Sequence, residues 1–189
     1  MCIKNNLPNI LSVFRGLLGF VIIYFINRNN YIVAFTIFII AALSDYADGY
    51  LARKQKSVSA FGKIIDPIAD KLLILTTLLS FTLKGFILPI FIIIIGLREV
   101  LITVLRLYLL KNGAVLAAKD AGKIKTVLQI VVIIIIFSSR ILANFYPAIL
   151  QYQGLLYNSI NFLMLILLVV TLTSMLSYLK DIKEVIING

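Results

Sequence analysis

Long apolar stretches alternate with short polar clusters along the whole chain, and the breaks define six candidate helices. The first stretch runs from about Ile10 to Ile26 and stops at Asn27-Arg28-Asn29-Asn30. The second runs from about Tyr31 to Leu51, before a basic loop containing Arg53, Lys54, Lys56 and Ser57. The third, about Phe61 to Leu83, stops at Lys84-Gly85, and the fourth, about Phe86 to Leu110, at Lys111-Asn112-Gly113, a good helix terminator. A second basic loop holds Lys119, Asp120, Gly122, Lys123 and Lys125. The fifth and sixth stretches follow, at about Thr126 to Ile141 and Asn158 to Leu179. Roughly 20 residues span the ~30 Å hydrocarbon layer, so this pattern predicts about six membrane crossings. Ile133 to Ile136 has strand propensity, but an open strand cannot satisfy its backbone in lipid, so helix is expected there too.

Composition agrees: 61% of residues are apolar, 14% are charged, and the mean hydropathy is +1.06, whereas a soluble domain is nearer half apolar. The expectation is a single all-α polytopic membrane domain over residues 1–189, with no room for a second, soluble one. Histidine is absent, which excludes Ser-His-Asp and Cys-His nucleophiles and histidine-ligated metal sites. The one cysteine, Cys2, cannot form an internal disulfide. The first ten residues lack the features of a cleaved secretory signal, so the first helix is expected to be retained.

Charge placement sets orientation. With the N-terminus inside, only Arg28, Lys84 and Arg140 fall at outer turns, and the other 15 of 18 basic residues lie on the inner side. This positive-inside bias predicts cytoplasmic termini and cytoplasmic loops after the second and fourth helices. A net charge of +10 suits anionic headgroups or phosphorylated substrates. The basic residues are divided among short loops tied to the bilayer, which argues against nucleic acid. No internal repeat is visible.

The acids are the informative residues. Four of only eight lie near the inner ends of the second and third helices: Asp45, Asp48, Asp66 and Asp70. A charge at membrane depth costs about 2.5–3.5 kcal/mol on insertion scales, so a cluster of four implies cations, basic partners or water. Asp45 and Asp48 share a helix face with Gly49 and Ala52, and Gly62, Asp66 and Asp70 form a stripe at i, i+4, i+8. The two helices, joined by a short inner loop, are expected to be antiparallel neighbours whose acids line a polar cavity open to the cytoplasm. Such carboxylates suit hard divalent ions such as Mg²⁺ or Mn²⁺, and two ions would neutralise four charges and clamp a phosphate. Gly49, Ala52 and Gly62 leave room for a flat group such as a base or diphosphate. The plainer alternative is local neutralisation, with Lys71 or Arg53 beside Asp70 or Asp48.

The run Asp45-Tyr46-Ala47-Asp48-Gly49-Tyr50-Leu51-Ala52-Arg53, then Gly62, Asp66 and Asp70, reads D-x2-D-G-x2-A-R-x8-G-x3-D-x3-D. It resembles the signature of the CDP-alcohol phosphatidyltransferases at every fixed position. That resemblance implies a six-helix membrane enzyme, commonly a homodimer, that moves a phosphatidyl group from CDP-diacylglycerol to an alcohol and releases CMP. It also implies Asp45, Asp48 and Asp66 as principal metal ligands, with Asp70 near a second ion and as candidate general base, two roles that compete. Gly49, Ala52, Gly62 and Arg53 would meet CDP-diacylglycerol, with an ordinary positive-inside residue as the lesser reading of Arg53. Flanking blocks resemble the bacterial branch whose acceptor is glycerol 3-phosphate: Asn6 through Arg15, Arg98-Glu99-Val100-Leu101-Ile102-Thr103-Val104-Leu105-Arg106, and Gly122-Lys123-Ile124-Lys125-Thr126. The resemblance covers roughly residues 6 to 130, and it implies a bacterial cytoplasmic-membrane location.

An acceptor phosphate needs its own cations. Arg98 and Arg106 lie about 80° apart on the fourth helix wheel and can line one side of a cavity, and Lys119, Lys123 and Lys125 lie where the fifth helix begins. A dianionic phosphate would require these residues, whereas an uncharged acceptor such as serine would not. The lysines also satisfy the topology rule without any ligand. Glu99 is expected to point elsewhere on the wheel, and Arg15 to belong to either site or to cap the first helix. Two other readings stay open: the same chemistry on phosphatidylglycerol, inositol phosphate or serine, and a divalent-cation channel or carrier.

Overall fold

The structure, a computed structural model, describes residues 7–55, 62–111 and 120–188. All regular elements among them are helical: α1 Leu7–Asn27, α2 Tyr31–Gln55, α3 Gly62–Leu83, α4 Pro89–Lys111, α5 Asp120–Phe145 and α6 Gln153–Asn188. Ile133 to Ile136 lie inside α5, as the backbone argument required.

The boundaries follow local chemistry. At the α1–α2 turn Asn29 takes a left-handed φ of 58°, and Asn30 Oδ1 accepts from the Val33 amide at 3.3 Å as an N-cap. Gly85, with φ 75°, ends α3. The fourth helix starts at Pro89 rather than Phe86, because proline fits the first helical position, where no amide donor is needed. The two basic loops are shorter than expected. The second helix continues through Arg53 and Lys54 to Gln55, since Ala, Arg, Lys and Gln all favour helix. The fifth begins at Asp120, an acid at a helix N-terminus, so Lys123 and Lys125 are helical rather than loop residues. A 3-10 turn, Pro147–Tyr152, separates α5 from α6.

Two compact units divide the chain, Met1–Lys84 and Gly85–Gly189. In the first, α1 is the shared neighbour: it packs against α2 and more broadly against α3. Among the described residues α3 packs against α1; the expected antiparallel meeting of α2 and α3 around the acids falls on residues whose side chains lie outside the described ones. Close approach explains the preference. A Cβ on Gly16 would lie 3.9 Å from the Ala69 Cβ, and one on Gly19 would lie 3.4 Å from the Thr76 Cβ and collide with Thr76 Oγ1. Small residues at such a seam let two membrane helices pack backbone to backbone. Lys84 Nζ then donates to the Asn27 carbonyl at 3.0 Å and to Asn29 Oδ1 at 2.9 Å. The end of α3 is thereby tied to the α1–α2 turn, so α3 runs parallel to α1.

In the second unit α4 and α6 run the same way, with α5 opposed. Asn161 Oδ1 accepts from the Leu88 amide at 2.8 Å just before α4, and Asn161 Nδ2 donates to the Tyr157 carbonyl at 2.8 Å. Arg140, near the end of α5, stacks 3.6 Å from the Phe86 ring centroid. Ile95, Ile133, Ile136, Phe137 and Met164 are fully buried, while Val127, Val131, Phe162, Leu165, Val169 and Leu176 face outward. Such wide outward apolar surface is foreign to a soluble monomer. Hydroxyls in these helices return their protons to the preceding turn, as with Thr77 Oγ1 to the Leu73 carbonyl at 2.7 Å and Thr171 Oγ1 to the Leu167 carbonyl at 2.7 Å. Among the described residues Ile124–Phe145 and Pro147–Lys180 are long and apolar enough to cross a membrane, with shorter apolar helices at Ser12–Asn27 and Tyr31–Ser44.

Candidate active site

In the first unit the four aspartates occupy two levels. At about 1.5 Å per residue, Asp45 lies about 21 Å along α2 from Tyr31, and Asp70 about 21 Å along α3 from Lys84. Asp48 and Asp66 lie about 26 and 27 Å along the same two helices. Because α2 begins and α3 ends at one shared turn, the acids pair by depth, Asp45 with Asp70 and Asp48 with Asp66. The side chains of Asp45, Asp48, Gly49, Ala52, Arg53, Gly62 and Asp66 lie outside the described residues, as does Lys119; so does the side chain of Lys123. Among the described residues no acidic or cysteine cluster forms a metal-binding group.

Asp70 is described, and it has a partner. Its Oδ1 accepts from Nη1 of Arg15, which rises from α1 and is 3% exposed, while the Asp70 side chain remains 38% exposed. The expectation left Arg15 as a cap or a member of either site; the structure pairs it with Asp70. The pair is a local neutralisation of the kind the plainer alternative describes, supplied here by Arg15. Yet the carboxylate stays accessible, and a group fully tied off would not.

In the second unit the cations cluster on buried polar positions. Arg98 lies about 14 Å into α4 from Pro89, at mid-helix depth. Its Nη1 donates to Glu99 Oε1 at 3.2 Å and its Nη2 to Ser174 Oγ at 3.0 Å. Lys125 Nζ donates to the same Glu99 oxygen. Glu99 was expected to point away; adjacent positions are about 100° apart on the wheel, but two long side chains bridge that angle. Arg106 donates through Nη2 to the Tyr178 hydroxyl, with its Cζ 5.4 Å from that ring's centroid. Gly122 makes space for this ring: a Cβ there would sit 3.9 Å from Tyr178 Cε2. The structure thus brings Arg98 and Lys125 together and sets Arg106 on a separate partner.

Sequence reasoning missed Glu99, Gln129, Ser174 and Tyr178. A signal existed. Thr171, Ser174 and Tyr178 fall at i, i+3, i+7 in an otherwise apolar helix, and Lys125 and Gln129 at i, i+4, so each set is a polar stripe facing inward.

Comparison with known proteins settles the family. The model of the CDP-alcohol phosphatidyltransferases matches residues 5–173, across both units. The chain belongs to this family. Its similarity to curated members is broad: it is 33% identical to the CDP-diacylglycerol–glycerol-3-phosphate 3-phosphatidyltransferase of Mycoplasma pneumoniae over 152 residues, covering 69% of this chain and 67% of that protein. The enzyme of the same name from Rickettsia felis is 37% identical over 132 residues, 68% of this chain and 73% of its own length. The one from Bacillus subtilis is 44% identical over 97 residues, about half of each chain. As a phosphatidyltransferase, this chain carries the family's acidic signature on α2 and α3, and the depth pairing follows from the folding of those helices.

Proposed function

We propose that the protein transfers the phosphatidyl group of CDP-diacylglycerol to sn-glycerol 3-phosphate, giving phosphatidylglycerol phosphate and CMP. The observation that carries this is the complete acidic signature, with two aspartates on α2 and two on α3. Membership of the family and the shared name of its curated relatives support the acceptor.

The donor set fits hard divalent ions. Asp45, Asp48 and Asp66, with Asp70, would hold Mg²⁺ or Mn²⁺, two ions by charge count, and bound there they would neutralise the diphosphate and the departing CMP. The rest is positioning. Gly49, Ala52 and Gly62 admit the nucleotide, and Arg53 meets its phosphate. Arg98, Arg106, Lys119, Lys123 and Lys125 take the acceptor's phosphate. The terminal hydroxyl oxygen of glycerol 3-phosphate attacks the β-phosphorus, its proton passes to Asp70, and the bond to the CMP oxygen breaks. The six helices are read as six spans of a bacterial cytoplasmic membrane, with both termini in the cytoplasm, in a protein that works as a homodimer.

Purified protein given CDP-diacylglycerol, Mg²⁺ and each labelled acceptor in turn tests the reading. Labelled lipid is expected from glycerol 3-phosphate; product from phosphatidylglycerol, inositol phosphate or serine alone would reassign the acceptor, and metal flux without transfer would favour the carrier.

A further inference from the structure

Glu99 has no part in the transfer chemistry, and its setting is unusual. It is 2% exposed, and one of its oxygens, Oε1, accepts from both Arg98 on its own helix and Lys125 on α5. Arg98 is held again from α6 by Ser174. Three helices are therefore cross-tied through one carboxylate, and the charged side chains involved are at most 6% exposed. Stability gives no strong reason for this, because replacing a buried ion pair with well-packed apolar residues is often neutral or favourable. Affinity for an anion gives no reason either. On charge alone, a carboxylate beside two phosphate-binding cations repels the ligand.

What the carboxylate does provide is restraint. Lysine and arginine side chains each carry about 2 kcal/mol of rotamer entropy, and a site that has already ordered them loses less on binding. A donor remains on Arg98 after the restraint: a guanidinium has five N–H groups, and Glu99 and Ser174 engage it through Nη1 and Nη2. Arg98 Nε is buried with no hydrogen-bond partner among the described residues, and so is Nε2 of Gln129, one turn along α5 from Lys125. Buried donors left over on two helices beside the cluster call for a ligand rich in acceptor oxygens.

We propose that Glu99 is a positioning residue of the acceptor site, fixing the Arg98 and Lys125 cations so that they, with Gln129, receive the phosphate monoester of the acceptor. This rests on the reading of Arg98 and Lys125 as acceptor-binding residues. The two effects of Glu99 have opposite signs, which makes the proposal testable. Removing its charge by Glu99→Gln would tighten acceptor binding if only electrostatics mattered, and would weaken it if positioning dominates.

The experiment is steady-state kinetics on the full chain in mixed micelles, varying glycerol 3-phosphate and CDP-diacylglycerol separately, together with thermal midpoints. For E99Q the expected result is a KM for glycerol 3-phosphate raised about tenfold or more, with a much smaller change in kcat and in the KM for CDP-diacylglycerol. Ser174→Ala, which loosens the far side of Arg98 without changing charge, should raise the same KM by a smaller factor, and it carries the test if E99Q does not fold. An unchanged or lowered KM for glycerol 3-phosphate in these variants overturns the positioning role, as does a lowered thermal midpoint with both KM values unmoved. If the wild-type protein turns over CDP-diacylglycerol but ignores glycerol 3-phosphate, the acceptor reading itself fails and takes this inference with it.

Discussion

On the proposed reading, Asp70 concentrates the chemistry at the scale of single residues. One of its oxygens is held by a buried arginine from a neighbouring helix, and more than a third of the side chain remains accessible. Replacing Asp70 with Asn keeps its shape and removes its capacity to take a proton. The D70N protein should retain CDP-diacylglycerol binding, measured by equilibrium binding of labelled liponucleotide, while CMP release falls by about 10²-fold or more. Equal loss of both would assign Asp70 to metal holding alone. The aspartates, glycines and flanking basic residues were legible because the family signature fixes residue type and spacing together. Arg15 as the partner of Asp70 was not: 55 positions separate them, and nothing in either local sequence selects one long-range partner among the basic residues. Glu99 was missed for a different reason, since a helical wheel treats side chains as short spokes and cannot show two long ones converging.

At the scale of elements, the packing of α1 on α3 depends on Gly19. Gly19→Ala would force the Thr76 hydroxyl away, and overpacking of this kind typically costs about 1–3 kcal/mol. Gly96 on α4 is the control: a Cβ there meets nothing within 4 Å, and alanine in a helix interior is favoured over glycine by roughly 0.5–1 kcal/mol. Thermal midpoints in detergent should therefore fall for G19A and hold or rise for G96A. Asn161 offers a second test at the other unit's turn. Asn161→Ala leaves the Leu88 amide without its acceptor, at a cost of about 1–3 kcal/mol, so the midpoint should fall there as well. Helix existence was readable from apolar length, and boundaries were readable wherever Asn, Gly or Pro marks them. The role of α1 as the hub was hidden, because an all-apolar helix announces that it is buried or in lipid without naming its neighbour.

For the whole molecule, the distribution of basic residues makes a prediction about the membrane. In a Cys2→Ser background, a single cysteine placed at Asn29 should react with a membrane-impermeant maleimide in intact cells. One placed at Ser57 should react only after permeabilisation. The reverse pattern would invert the topology and put the aspartates on the wrong side for a cytoplasmic liponucleotide headgroup. Length and mean hydropathy made the membrane class plain from the start, whereas the division into two compact units leaves no local trace in sequence, because it depends on which apolar faces meet. The central claim is that the aspartates of α2 and α3 hold divalent ions where the diphosphate binds. Mn²⁺ binding to the purified protein, followed by electron paramagnetic resonance with and without CDP-diacylglycerol, tests it most directly. Two bound ions per chain are expected, tightened by the liponucleotide and lost on replacing Asp45 and Asp66 with Asn; binding that survives both replacements, or no binding at all, would contradict it.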